Sequence, residues 1–400
     1  MGGYLVVLLV AAGTTWVLTP VVRRLSIRLG AVVPPDARHV HERPMPILGG
    51  AAMFAGFLAA MAVASRIPQF HDMFRGNSEP LGVILAAGAI FVVGTLDDFR
   101  DVSPPAKLAG QVLAASLLYL MGVTMFFFRV PFADFVVLSP EWAPLVTAGW
   151  VLLMCNAVNL IDGLDGLAAG IVAIAGLALF FYADRLFEAG LLAGSNLGPL
   201  LAIITVGVCA GFLPFNFHPA KIMMGDSGAL LLGVLMASTT IVIGGRIADP
   251  FSGQTYFFFA PLFIPLVILG VPIVDTVFAV LRRTVRRRSF AVADKDHLHH
   301  RLMRLGHGHR RSVAILWGWT VVLSTIALVP TYTDGLNALV LPGIGALALA
   351  LVVLFHPGAR RDRAAAAGRA APGPPGAGDA PGPPGAGDAD VVDLDVRRRA

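Results

Sequence analysis

The sequence predicts an all-α polytopic membrane protein, and three observations predict it. Of 400 residues, 56% are apolar and only 14% are charged, with a mean hydropathy of +0.76. Soluble domains carry about 25% charged residues. Apolar runs recur at 3–22, 47–65, 81–97, 108–126, 142–160, 164–183, 190–213, 227–245, 256–281, 313–331 and 335–356, giving eleven expected spans. Each is near the roughly 20 residues that cross a bilayer. With the N-terminus outside and the C-terminus cytoplasmic, 25 of the 30 Lys and Arg fall on inner segments. Five fall on outer ones: Arg66, Arg75, Arg129, Arg185 and Arg246. That split follows the positive-inside rule. The net charge of +5 is the same cytoplasmic bias and needs no nucleic-acid partner.

In chain order, the first run has no basic residue before it, and Arg23 and Arg24 follow it. This is the pattern of an uncleaved first helix rather than a signal peptide. Gly and Pro inside several runs are tolerated by membrane helices. Residues 126–141, FFFRVPFADFVVLSPE, have strand composition and read as a short external β-hairpin. Cys155 and Cys209 lie in apolar runs and read as inert packing residues, too few for a disulfide framework or a thiolate metal site. Residues 282–312 form the longest inner loop, very basic and His-rich. Residues 1–356 read as one transmembrane domain. Residues 357–400 repeat APGPPGAGD at 371–379 and 380–388 and hold few large apolar groups, so they read as a disordered Pro/Gly/Ala-rich cytoplasmic tail.

Polar groups retained by a membrane protein tend to be functional, and here they cluster. GTLDDFRDVSPPAK (94–107) carries Asp97, Asp98 and Asp101. NAVNLIDGLDGLAAG (156–170) carries Asn156, Asn159, Asp162 and Asp165. FNFHPAKIMMGDSGALLLG (215–233) carries Asn216, Lys221 and Asp226, and ADKDHLHHR (293–301) carries His297, His299, His300 and Arg301. All four fall at inner ends of spans. A broken-helix transporter would keep its site near the midplane. A set at the inner interface suits a water-soluble anionic substrate held against a lipid headgroup.

The residue types narrow the chemistry. Carboxylates and amides are hard oxygen ligands suited to Mg²⁺, which completes its shell with phosphate oxygens and water. Zinc on His297, His299 and His300 is a competing reading of the same residues. MGDSG opens a helix with Asp226 and Ser227 as N-cap groups, so Asp226 taken alone also reads as a plain cap. Asp97 and Asp98 end a helix whose dipole opposes them, so they need a cation or a metal. Their plain reading is a solvated end paired with Arg100 and Lys107. Asp275, inside the ninth run, reads as a structural polar contact. Asn156, Asn159, Asp162 and Asp165 fall at steps of three, which drift about 60° per step on an α-helix. They converge only if the helix ends among them, and Gly163 and Gly166 allow that break.

Together these clusters resemble the polyprenyl-phosphate N-acetylhexosamine-1-phosphate transferases of the glycosyltransferase 4 superfamily. The resemblance runs motif by motif from residue 20 to about 312, and RHVHERPMPILGG (38–50) resembles the family's first inner loop. KDHLHHR and DDFRD resemble the branch that moves GlcNAc-1-phosphate from UDP-GlcNAc to undecaprenyl or decaprenyl phosphate. AVVPPDAR departs from it, since an acid often precedes that proline. The resemblance implies a multi-pass cell-membrane enzyme with a cytoplasmic active site, dependent on Mg²⁺ with Mn²⁺ as a substitute. It speaks against zinc and implies a homodimer. It implies Asp226 as the direct metal ligand with Asn159 or Asp162 nearby, and Asp97 or Asp98 at the lipid phosphate. Asp162 and His297 join these as catalytic candidates. Asp165 and Asn216 are candidates for the uridine or sugar. His297, His299, His300 and Arg301 are candidates for the diphosphate. Arg43 and Lys107 are further phosphate candidates whose plain reading is positive-inside anchoring. The muramoyl-pentapeptide branch is the alternative within the family, and a polytopic transporter is the alternative outside it.

Overall fold

The computed structural model describes residues 1–33, 44–125, 127–129, 135–244, 270, 273, 302–303, 307–332 and 340–354. Among these the protein is a helical bundle. Its helices are α1 (Gly2–Arg28), α2 (Gly49–Ala64), the short α3 (His71–Phe74), α4 (Glu79–Phe99), α5 (Pro104–Leu120) and α6 (Ala143–Ile161). They continue with α7 (Leu167–Glu188), α8 (Gly198–Asn216), α9 (Gly225–Gly244), α10 (Gly308–Tyr332) and α11 (Val340–Leu354). Two short antiparallel pairs complete it: β1 (Val32–Val33) with β2 (Met45–Pro46), and β3 (Phe127–Arg129) with β4 (Phe135–Val137).

Ten of the eleven expected runs hold a described helix; the run 256–281, Asp275 and the tail 357–400 lie outside the described residues, save Gly270 and Ile273. Among the described residues, seven helices are long and apolar enough to cross a membrane. The count is eight if α2 and the segment Pro68–Phe74, bent by 92°, make one span. The differences from eleven have simple causes. Helix α5 is 17 residues long and carries Lys107 in its first turn, and α11 is 15 residues long.

Helix α9 is the axis of the bundle. It packs on α2, α4, α6, α7 and α8, and 94% of its apolar window is buried against 22% for α1. Small residues permit the close crossings, as is usual between membrane helices. A Cβ on Gly94 of α4 would lie 2.5 Å from Ser227 Cα, and one on Gly233 of α9 would lie 2.5 Å from Cys155 Cα. Between α6 and α9, Trp150 Nε1 donates to Thr240 Oγ1 at 2.8 Å. Both cysteines are free and buried in this core, as their apolar surroundings suggested.

The chain runs up and down, so one end of the bundle collects the C-termini of α1, α4, α6 and α8 with the N-termini of α2, α5, α7, α9 and α10. Two backbone contacts close this end. Met223 N donates to Pro46 O at 2.8 Å, and Gly50 N donates to Met224 O at 2.8 Å. They lay the residues just before α2 along the segment that leads into α9.

Candidate active site

Three of the four polar motifs, those at 94–107, 156–170 and 215–233, converge at that end. Helix α4 stops at Phe99, and Asp97 Oδ1 accepts from the backbone N–H of Val102 at 2.9 Å. That bond turns the chain toward α5, where Pro104 and Pro105 occupy the first helical positions. Lys107, in the first turn, then reaches back. Its Nζ lies 2.6 Å from Asp97 Oδ2 and also bonds Asp226 Oδ2. All three side chains are mostly buried, at 15–28% exposure, so this pair is less screened than a surface ion pair.

Asp98 points elsewhere. Its Oδ1 accepts from Asp226 N at 2.7 Å and its Oδ2 from Ser227 N at 3.2 Å. It therefore caps α9 from another helix, meeting the orphan amides and the positive dipole end. Sequence reading expected Asp226 and Ser227 to cap their own helix; the distant Asp98 does it instead, which frees the Asp226 carboxylate for other work. The close crossing at Gly94, one turn before Asp98, sets this reach. Gly225, at φ +70, passes where a Cβ would meet the Asp98 carboxylate.

Helix α6 ends at Ile161 and α7 begins at Leu167, with Gly166 at φ +76 between them. The break among the steps of three is therefore present, and Gly166 supplies its left-handed residue. Asp162 caps the end of α6 in the intervening turn. Its side chain draws no hydrogen bond or ion pair from a described residue. Burial, then the negative charges of Asp226, Asp98 and Asp165, holds its carboxyl well above the usual carboxylate range. Asn159, half-buried one turn earlier, likewise makes no side-chain hydrogen bond to a described residue. Asn156 belongs to a different pair: its Nδ2 donates to Gln111 Oε1 of α5 at 2.8 Å.

Asp165 lies in a second group. Its Oδ2 is 2.8 Å from His218 Nδ1, accepts from Ala220 N at 3.1 Å, and is 3.8 Å from His309 Nε2. The two imidazoles stack with centroids 4.2 Å apart. The ligand atoms of Asp165, His218 and His309 lie within 4.8 Å of one another, close enough to hold a metal ion. His218 and His309 were not singled out from sequence, although His218 stands inside the FNFHPAK motif. Asn216, expected at the uridine or sugar, has a scaffold role here. It is 3% exposed, accepts from Gly166 N at 3.0 Å and donates to Ile222 O at 3.0 Å. Arg43, His297, His299, His300 and Arg301 lie outside the described residues.

This geometry divides the chemistry. Asp162, Asp226 and Asn159 offer hard oxygen donors, and no cation among the described residues meets the Asp162 carboxyl. That set fits a hard divalent cation such as Mg²⁺.

Comparison with known proteins agrees with the motif reading. Residues 80–244 match the family described as glycosyl transferase family 4. The chain is 36% identical over 363 residues to the decaprenyl-phosphate N-acetylglucosaminephosphotransferase of Mycolicibacterium smegmatis, covering 88% of each chain. It is 35% identical over 325 residues to the probable undecaprenyl-phosphate N-acetylglucosaminyl 1-phosphate transferase of Bacillus subtilis, covering 81% of this chain and 84% of that one. It is also 34% identical over 351 residues to a phospho-N-acetylmuramoyl-pentapeptide-transferase of Desulforudis audaxviator, covering 80% and 97%.

Proposed function

The chain belongs to glycosyl transferase family 4, and from that premise we propose that it transfers GlcNAc-1-phosphate from UDP-GlcNAc to a polyprenyl phosphate and releases UMP. The GlcNAc-transferring relatives support this donor above the muramoyl alternative. The observation that carries the site is the Asp162 carboxylate beside Asp226, with no cation on it among the described residues, at the end of the bundle where the three described polar motifs meet.

In the proposed reaction an oxygen of the lipid phosphate attacks the β-phosphorus of the UDP-sugar. The bond to the bridging oxygen breaks, and UMP leaves with that electron pair. Attacker and donor are both anionic, so the site must neutralise charge. Asp226, with Asn159 or Asp162, would hold Mg²⁺, for which Mn²⁺ can substitute. Bound there, the metal would neutralise diphosphate charge and stabilise the leaving UMP. Asp97 faces the acceptor side beside Lys107, while Asp98 fixes the N-terminus of α9 and so the direction of Asp226. A phosphate monoester has a second pKa near about 6 and is mostly dianionic at neutral pH. Positioning of the acceptor therefore matters more here than removal of its proton. Asp165 is assigned to the nucleoside or sugar, held in place by His218 and Ala220. His297, with His299, His300, Arg301 and Arg43, is assigned to the phosphates as charge-assisted donors.

The proposal includes eleven spans, an external N-terminus, a catalytic end on the cytoplasmic face of the cell membrane, and a homodimer. Transfer proceeds in one step. Exchange of labelled UMP into UDP-GlcNAc without lipid acceptor would contradict that and indicate an aspartyl-phosphate route. The direct test of the function is UMP release from UDP-GlcNAc plus polyprenyl phosphate, with and without Mg²⁺. Metal-dependent release is expected. No release with any UDP-sugar removes the assignment.

A further inference from the structure

We infer that Lys107 is a resident counter-ion that occupies the acidic site ahead of the divalent cation, and that the metal binds by displacing its ammonium from Asp226. The inference rests on the reading of Asp226 as a metal ligand and goes beyond it.

Asp97, Asp98, Asp162 and Asp226 meet around the N-terminus of α9. Asp98 is held by two backbone amides. Asp97 and Asp226 share one ammonium. Among the described residues, no other Lys or Arg pairs with either of them. Lys107 thus neutralises a site that would otherwise repel itself, but it does so on the carboxylate that a metal on Asp226 would take. An ammonium and a divalent cation held against one carboxylate repel each other, so each opposes the binding of the other.

The scaffold is arranged so that the lysine can leave while the carboxylates stay. Asp97 is tied to Val102 N, and the N-terminus of α9 is tied to Asp98 and to the crossing at Gly94. None of these contacts involves Lys107. Its side chain is a flexible four-carbon stem that is 20% exposed, so its head can move without moving helix α5. Once displaced, the ammonium is within its own stem's reach of any phosphate that arrives with the metal. One cation then leaves the carboxylates as another enters, and the total charge facing the substrate rises.

The test measures Mn²⁺ binding by paramagnetic resonance on the purified full-length protein, without nucleotide or lipid. Wild type is compared with Lys107→Met, Lys107→Arg and Asp226→Ala. Breaking a charge-assisted bond opposes metal binding by about tenfold or more. Lys107→Met should therefore bind Mn²⁺ at least about tenfold more tightly than wild type. Lys107→Arg, which keeps the charge, should stay near wild type. Thermal unfolding supplies the second readout. Lys107→Met should unfold earlier without metal, yet gain more from Mn²⁺ than wild type does. A lysine that merely holds the structure together would lower stability and leave Mn²⁺ affinity unchanged or weaker, and that result overturns the inference. If wild type binds no Mn²⁺, or Asp226→Ala binds it as wild type does, the metal reading itself fails and takes the inference with it.

Discussion

Asp98 and Asp226 stand in different motifs, 128 residues apart, and each needs the other. Asp226 carries the proposed metal, and Asp98 aims it. Asp226→Ala should lower UMP release by more than about a hundredfold, the scale of a lost metal contribution, in protein that still elutes as a folded species. Retained activity would remove Asp226 from the metal role. Asp98→Ala should cost about 1–2 kcal/mol of stability, as the loss of a helix cap does, and lower activity with it. An unshifted unfolding temperature would contradict the capping role. Asp162 gives a pH dependence. Its carboxyl is held above the usual range without metal, so the folded protein binds more protons than the unfolded chain in the window above the ordinary carboxylate value. Metal-free stability should therefore fall as pH rises through that window. A cation that binds the ionised form reverses this, so the Mg²⁺-induced rise in unfolding temperature should be larger at about pH 8 than at about pH 5. An equal rise at both would contradict it. The acids were legible in sequence because charged groups are rare in apolar surroundings. Their partners were not, since Asp98 meets its helix only in tertiary structure, and Asn216 shows its scaffold role only through Gly166 and Ile222.

At the level of elements, the crossing of α4 and α9 decides whether the acids converge. A Cβ on Gly94 would sit 2.5 Å from Ser227 Cα, and its nearest neighbours are all backbone atoms of Asp226 and Ser227, with no flexible atom to yield. Gly94→Ala should therefore cost about 1–3 kcal/mol, the range of overpacking, and depress activity. Gly88→Ala, on the same helix, meets only Phe54 Cζ at 3.9 Å. It should be neutral or slightly stabilising, because alanine is the better helix former by about 1 kcal/mol. Equal behaviour of the two variants in thermal unfolding would contradict the crossing argument. The helices themselves could be read from apolar length, and the break at Gly166 from the spacing of Asn156, Asn159, Asp162 and Asp165. Which helices cross could not be read, because glycine marks a close approach without naming its partner. The pairing of α5 with α6 through Gln111 and Asn156 was hidden for the same reason.

For the molecule as a whole, the up-and-down course of the chain brings nine described helix ends and the three described polar motifs to one end around the buried α9. The proposed reaction needs this placement: a soluble nucleotide sugar must reach a phosphate anchored at the membrane surface. The apolar runs predicted an all-α polytopic bundle, and α5 shows where hydropathy reads more span than helix. The account's central claim is that this end transfers a sugar phosphate to lipid. The most direct measurement is mass spectrometry of the lipid fraction after purified protein, Mg²⁺ and decaprenyl or undecaprenyl phosphate are incubated with equal UDP-GlcNAc and UDP-MurNAc-pentapeptide. The account predicts polyprenyl diphosphate carrying GlcNAc, formed only with Mg²⁺ and absent with Asp226→Ala. Polyprenyl diphosphate carrying the muramoyl peptide, or unaltered lipid phosphate, would contradict it.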